Sequence, residues 1–253
     1  MKKLLFAVMF MFMFIFLGEA FAFDDIKFST GMTQRLFKEF SEQLGVALSY
    51  KPVSPAEPYG ITGFDIGVEV SAVNVDDEYW RFAIKSQDVP GYVLIPKLHV
   101  IKGLPFGIDV GAVFSQVPDT NIKYFGGEVK YALMKGSAVT PAVAVRGTYT
   151  QLIGVNQLDF KTYGAEATIS KGVGFGVKLT PYAGLGVNWF QSTPSGFASA
   201  PILSGGLGLS EDNSTHLKAY AGARFTIVLI AITGEVEFND VTPVYSLKAG
   251  LAF

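Results

Sequence analysis

The sequence predicts an all-β fold, a transmembrane antiparallel β-barrel of about ten strands preceded by a short amphipathic helix. Three observations carry that reading. Apolar and polar residues alternate with period two from Gly63 to the C-terminus, most of the alternating segments reach ten residues or more, and short connections take turns with longer ones. Strands of soluble domains run about 5 to 6 residues, whereas a tilted strand crossing a bilayer needs ~9 to 11.

The N-terminus has the layout of a secretory signal peptide. Lys2 and Lys3 precede an uninterrupted apolar run, 4–17, and Ala20-Phe21-Ala22 is a small-x-small cleavage site. The run is short of the ~20 residues needed to span a bilayer, so residues 1–22 are expected to be removed, leaving Phe23 first. Next comes a helical period. Leu36, Phe37, Phe40 and Leu44 share one face, with Arg35, Lys38, Glu39 and Glu42 opposite, and Gly45 stands where a C-terminal stop belongs. A helix over 33–44 is expected. Residues 45–51 alternate briefly, and Pro52, Pro55 and Pro58 then enforce an irregular connection.

The strand segments lie at 63–75, 93–103, 106–117, 121–135, 140–152, 157–170, 175–191, 216–228, 230–239 and 243–253. In the first, Phe64, Ile66, Val68 and Val70 oppose Asp65, Gly67, Glu69 and Ser71; near the end, Ile232, Val236 and Phe238 oppose Thr233, Glu235 and Glu237. Short turns such as GLPFG, KGSAVT and SKGVGFG alternate with connections that include the two longest, 76–92 and 191–215. Long loops on one side and short turns on the other are the habit of membrane barrels. With ten strands, parity puts both ends on the periplasmic side, and 45–51 belongs to a plug or periplasmic lead-in. A twelve-stranded barrel, with a further strand near 198–209, is the alternative. The domain division is 1–22 signal peptide, 23–62 helix and lead-in or plug, and 63–253 barrel.

The last strand is the most specific. Tyr245, Leu247, Ala249, Leu251 and Phe253 face one way, opposed by Ser246, Lys248, Gly250 and Ala252. A terminal phenylalanine after such alternation resembles the strand read by the outer-membrane barrel assembly machinery. Tyr245, Leu251 and Phe253 are its candidate assembly residues. An apolar outward face requires closure, because an unpaired strand edge in hydrocarbon costs several kcal/mol per group. The bacterial outer membrane is the expected location, with its lipids, the assembly machinery and periplasmic chaperones as partners.

Composition narrows function mainly by exclusion. A net charge of −2 offers no basic patch for nucleic acid, and the absence of cysteine removes thiolate metal sites and cysteine nucleophiles. Only two histidines exist, His99 and His216, which makes a zinc site improbable. Asp212, Ser214 and His216 bring a carboxylate, a hydroxyl and an imidazole close together, but loops gather such residues for turn reasons as well. No catalytic residue and no cofactor are assigned, and an enzyme is not expected. The aromatics Phe64, Tyr149, Trp189, Phe238, Tyr245 and Phe253 fit interfacial belts.

The polar face places ionisable residues in the lumen. Asp65, Glu69, Asp109, Glu128, Glu166, Glu235 and Glu237 are set against Lys97, Lys130, Arg146, Lys178, Lys218, Arg224 and Lys248, with His99 beside Lys97. Seven acids and seven cations suggest paired charges, since charges withdrawn from water need partners. A ten-stranded barrel is only slightly wider than the eight-stranded size that side chains fill, so a structural network and a narrow permeation path are both open.

The stretches LGVALSYKPVSPAEPYGITGFDIGVEVSA, IPKLHVIKGLPFGIDVGA and TPAVAVRGTYTQLIGVNQLDF resemble a family of uncharacterised proteobacterial outer-membrane proteins. The resemblance covers nearly the whole mature chain and implies a barrel but no substrate. More loosely, an N-terminal segment ahead of a barrel is similar to the fatty-acid transporter family, whose larger barrel and longer plug are not matched. Two functions follow: a passive conduit for a small or hydrophobic solute, gated by the helix, and a non-transporting barrel whose long loops bind or stabilise.

Overall fold

The computed structural model describes residues 25–85, 89–117, 120–174 and 176–253. The signal-peptide expectation for 1–22 lies outside them. Ten antiparallel strands form a closed barrel: β1 (Phe64–Asn74), β2 (Tyr92–Gly103), β3 (Ile108–Gln116), β4 (Lys123–Lys135), β5 (Ala142–Ile153), β6 (Leu158–Ser170), β7 (Val177–Pro194), β8 (Asp212–Ile227), β9 (Ile230–Asn239) and β10 (Val244–Ala252). Each pairs with its neighbours in sequence, and β1 pairs with β10 from Asp65↔Ala252 to Val73↔Val244. Backbone bonds between Phe64 and Phe253, at 2.9 and 3.0 Å, finish the seam, with the two rings edge to face at 4.3 Å. Residues 198–209 form no strand; they belong to a loop with one turn of 3-10 helix at Ile202–Ser204.

The two rims differ. The connections 104–107, 136–141, 171–176 and 228–229 make a turn end, and 75–91, 117–122, 154–157, 195–211 and 240–243 make a loop end. Both long connections therefore share the loop end. Burial alternates residue by residue along the strands, as in β6, where Leu158, Phe160, Thr162, Tyr163 and Glu166 split cleanly into buried and outward sets. The outward set is apolar: Leu98, Val129, Leu185, Leu217 and Leu247 are all exposed. So much exposed apolar surface marks contact with something other than water.

The barrel has room for close interior approaches only where side chains yield. Tyr182 lies opposite Gly222 and Gly184 opposite Tyr220 in the β7–β8 pairing. A β-carbon on Gly184 would fall 2.3 Å from the Tyr220 ring, and one on Gly222 would fall 2.6 Å from Tyr182. Each glycine is the space its tyrosine occupies.

The helix, α1 (Gln34–Leu48), starts on Thr33, whose hydroxyl accepts from the Leu36 N–H at 3.3 Å. It runs straight through Gly45, correcting the expectation that this glycine ends it. Gly45 serves packing instead: a β-carbon there would sit 2.2 Å from the Phe190 ring on β7. Residues 45–48 are thus helix, and only 49–62 is irregular.

Candidate functional site: a lumen filled by its own chain

α1 lies inside the loop end of the barrel. Its face of Leu36, Phe37, Phe40 and Leu44 is buried against Val73, Val93, Ile95, Leu152 and Phe160 of the wall. These wall residues stand at the loop-end portions of their strands, so the lumen is apolar there. A short loop helix, α2 (Asp77–Trp80), closes over it, with Phe40 and Trp80 edge to face at 4.8 Å. The Gln43 carbonyl accepts from the Trp80 indole at 2.7 Å and from the Asp76 N–H at 3.0 Å. Sequence reading missed Gln43 because a glutamine on a helix carries no signal of its own.

The chain ahead of α1 stays at the loop end. Ile26 pairs with Ile84, its N–H reaches Asn121 at 3.0 Å, and the Phe28 N–H reaches Gln157 at 2.9 Å. Three loops are tied down by it. Parity holds for the barrel, since Phe64 and Phe253 share the turn end, but the described chain begins at the opposite mouth. The expectation of a chain start on the turn side is therefore corrected.

From Ser49 the chain continues through the lumen as an irregular segment, with Val53 at φ 42°. Thr150 caps the Leu48 carbonyl at 3.0 Å, and the buried Lys51 ammonium bonds to the Val46 carbonyl at 2.6 Å and the Ser49 hydroxyl at 2.7 Å. Below it, wall cations reach inward to this segment's backbone. Lys248 donates to the Pro52 carbonyl at 3.1 Å, Arg224 to that of Val53 at 3.5 Å, and Lys130 to those of Pro55 at 3.3 Å and Glu57 at 3.0 Å. Arg146 donates to the Ser54 hydroxyl at 3.1 Å.

The wall acids and cations meet in clusters. Asp65 joins Arg224 at 2.5 Å, Lys248 at 3.3 Å and the Tyr59 hydroxyl at 2.7 Å. Glu69 holds Lys97 at 2.5 Å and the His99 Nε2 at 2.6 Å. Asp109 holds Lys130 at 2.8 Å, Glu128 holds Arg146 at 2.9 Å, and Glu166 bridges Arg146 and Lys218, the latter at 2.8 Å. Lys218 also lies 3.6 Å from Glu237. Glu235 accepts from the Tyr182 hydroxyl at 2.7 Å. Lys178 departs from the enclosed set: it is half exposed at the turn-end rim and pairs with Glu57 of the threading segment. The Tyr59 hydroxyl donates to Asp65 and accepts from Arg224 at 2.6 Å.

The Asp212, Ser214 and His216 grouping is not assembled. The His216 Nδ1 faces Asp240 at 3.0 Å, its ring stacks on Phe190, and the Ser214 hydroxyl has no hydrogen-bond partner. Among the described residues, no group of three or more His, Asp or Glu is placed to hold a metal ion. Tyr245, Leu251 and Phe253 lie on the outward face of the terminal strand.

These features define a class: a closed ten-stranded β-barrel with an apolar exterior, occupied by its own N-terminal segment. No protein-family model and no curated protein matches the chain. Several solved structures match it at low similarity. Ail, the attachment invasion locus protein of Yersinia pestis, shares 20% identity over 76% of this chain and 97% of its own, with a TM-score of 0.33. Neisserial surface protein A shares 13% over 75% and 95%, with a TM-score of 0.33. The KdgM porin, solved with oligogalacturonate, shares 7% over 76% and 99%, with a TM-score of 0.36.

Proposed function

We propose that the protein is a bacterial outer-membrane barrel sealed by its own N-terminal segment, with a structural or loop-presenting role and no resting solute path. The observation that supports it is the occupation of the lumen by residues 34–59, helix above and irregular chain below. Side chains and backbone of this segment complete bonds that an open pore would leave to water. Outer-membrane lipids are the partners for the apolar exterior. The assembly machinery and its chaperones are the partners for β10, through Tyr245, Leu251 and Phe253.

Planar-bilayer recording tests the reading. Folded wild-type protein, checked by its altered gel migration on boiling, is expected to give no resolved conductance steps. A variant lacking residues 29–59 and shown to fold by the same criterion is expected to conduct. Wild-type steps as large as those of the deletion would replace this reading with the conduit for a small or hydrophobic solute.

A further inference from the structure

The turn end carries an open cleft of about 920 Å³, bordered by the threading segment, the β2–β3 turn and the β4–β5 turn. Its lining combines Pro58, Ile61, Leu104 and Phe106 with Lys135 and Lys178. Lys178 is matched by Glu57, whereas among the described residues no acid lies within ion-pair distance of Lys135. The cleft is thus an apolar surface with one uncompensated cation.

The local backbone makes this more than a gap between turns. Phe106 sits at φ 64° and ψ 17°, a left-handed conformation that a bulky residue adopts at a cost, and the residue is 85% exposed. Asparagine or glycine would close the same turn without strain. Ile61, across the cleft, is 66% exposed. Strain accepted in order to hold an aromatic side chain out from the fold points to something that covers it.

We propose that this cleft binds an anionic amphiphile. Its acyl chain lies along Pro58, Ile61, Leu104 and Phe106, and its carboxylate or phosphate head meets Lys135. The amphiphile is either a free fatty acid or an anionic phospholipid, because both present the same chemistry. A cationic amphiphile would set its head against Lys135 and is excluded by charge.

Photolabelling tests it on the whole mature protein, folded in phosphatidylcholine nanodiscs. Three diazirine-bearing probes are compared: a fatty acid, a phosphatidylglycerol and an alkyl trimethylammonium of equal chain length. Saturable labelling of peptides containing Ile61 and Phe106 by the fatty acid, the phosphatidylglycerol or both supports the site, and the stronger of the two identifies the source. Phe106→Gly suits the left-handed turn and so preserves the fold, and Lys135→Glu changes an exposed residue. Each is expected to weaken saturable labelling roughly tenfold or more. Equal labelling by the cationic probe, labelling that never saturates, or labelling unchanged in both variants would overturn the proposal. The readout does not involve conductance, so its failure leaves the sealed-barrel reading standing.

Discussion

Gly45→Ala separates two uses of a helical glycine by the sign of its effect. As an ordinary interior helix position, alanine should stabilise α1 by about 0.5 to 1 kcal/mol. The structure opposes that gain. The new β-carbon would sit 2.2 Å from Phe190 Cδ2 and 2.4 Å from its Cγ, where carbon atoms prefer ~3.5 to 4 Å. The ring has little freedom to retreat: it is 3% exposed and stacked on His216 at 5.0 Å. Overpacking of this kind costs about 1 to 3 kcal/mol, so a net loss of up to about 2.5 kcal/mol is expected. Hydrogen exchange of the α1 amides in the folded barrel reads it directly, as opening made easier by up to about sixtyfold. In a Phe190→Leu background the same substitution should turn neutral or stabilising, because the opposing ring is gone. Stabilisation of α1 by Gly45→Ala in the wild-type background would refute the packing role.

Three further outcomes are expected. Val236 faces outward on β9 and Glu235 inward, so Val236→Arg should destabilise by up to ~2 to 4 kcal/mol, depending on depth, in denaturant unfolding from lipid. Glu235→Gln retains an acceptor for Tyr182 and should cost less; the reverse order would mean a slipped register. Deleting Phe253 removes the bonds to Phe64 at the seam and should slow insertion into vesicles while leaving export intact, and unchanged insertion kinetics would count against its role. Burial raises the Glu42 carboxyl above its ordinary value, with His216 opposing the shift. The protonated form is therefore favoured in the docked helix, and docking weakens as pH rises from the ordinary carboxylate range through the raised value. Glu42→Gln should then protect α1 more than wild type at neutral pH and equally at low pH, as amide exchange would show.

The barrel was legible because period two leaves one assignment of faces: once Glu69 is inward, Val68 and Val70 are outward, an alternation that β4 breaks at its bulge between Ala132 and Met134. Helix existence was legible from its apolar face, but its end was not. Glycine marks either a helix stop or a close approach, and only the position of Phe190, distant in sequence, distinguishes them. The lumen residues were legible as a face, yet their pairing was not, because partners such as Lys248 and Pro52 are separated by 196 residues along the chain. The loop-end position of residue 25 depended on that same threading, which strand parity does not sense.

The proline-rich lead-in shows what an unreadable connection can encode. Pro52, Pro55 and Pro58 lack an N–H, so this stretch presents more acceptors than donors. The wall around it has the opposite excess. Its buried acids, Asp65, Glu69, Asp109, Glu128, Glu166, Glu235 and Glu237, outnumber its buried lysines and arginines by one once Lys178 is set apart at the rim, but a lysine carries three donors and an arginine five, and a bridge to one carboxylate leaves several unused. Buried away from water, each unused donor is costly. Lys248, Arg224 and Lys130 place theirs on the carbonyls of Pro52, Val53, Pro55 and Glu57. A donor-poor chain threaded through a donor-rich wall thus gives Lys248, Arg224 and Lys130 acceptors, which a chain with a full set of N–H groups would do less well, although Tyr50, His99 and Tyr124 keep buried polar atoms without a hydrogen-bond partner. The prolines that break secondary structure in the sequence are the reason the polar half of the lumen can be filled by backbone.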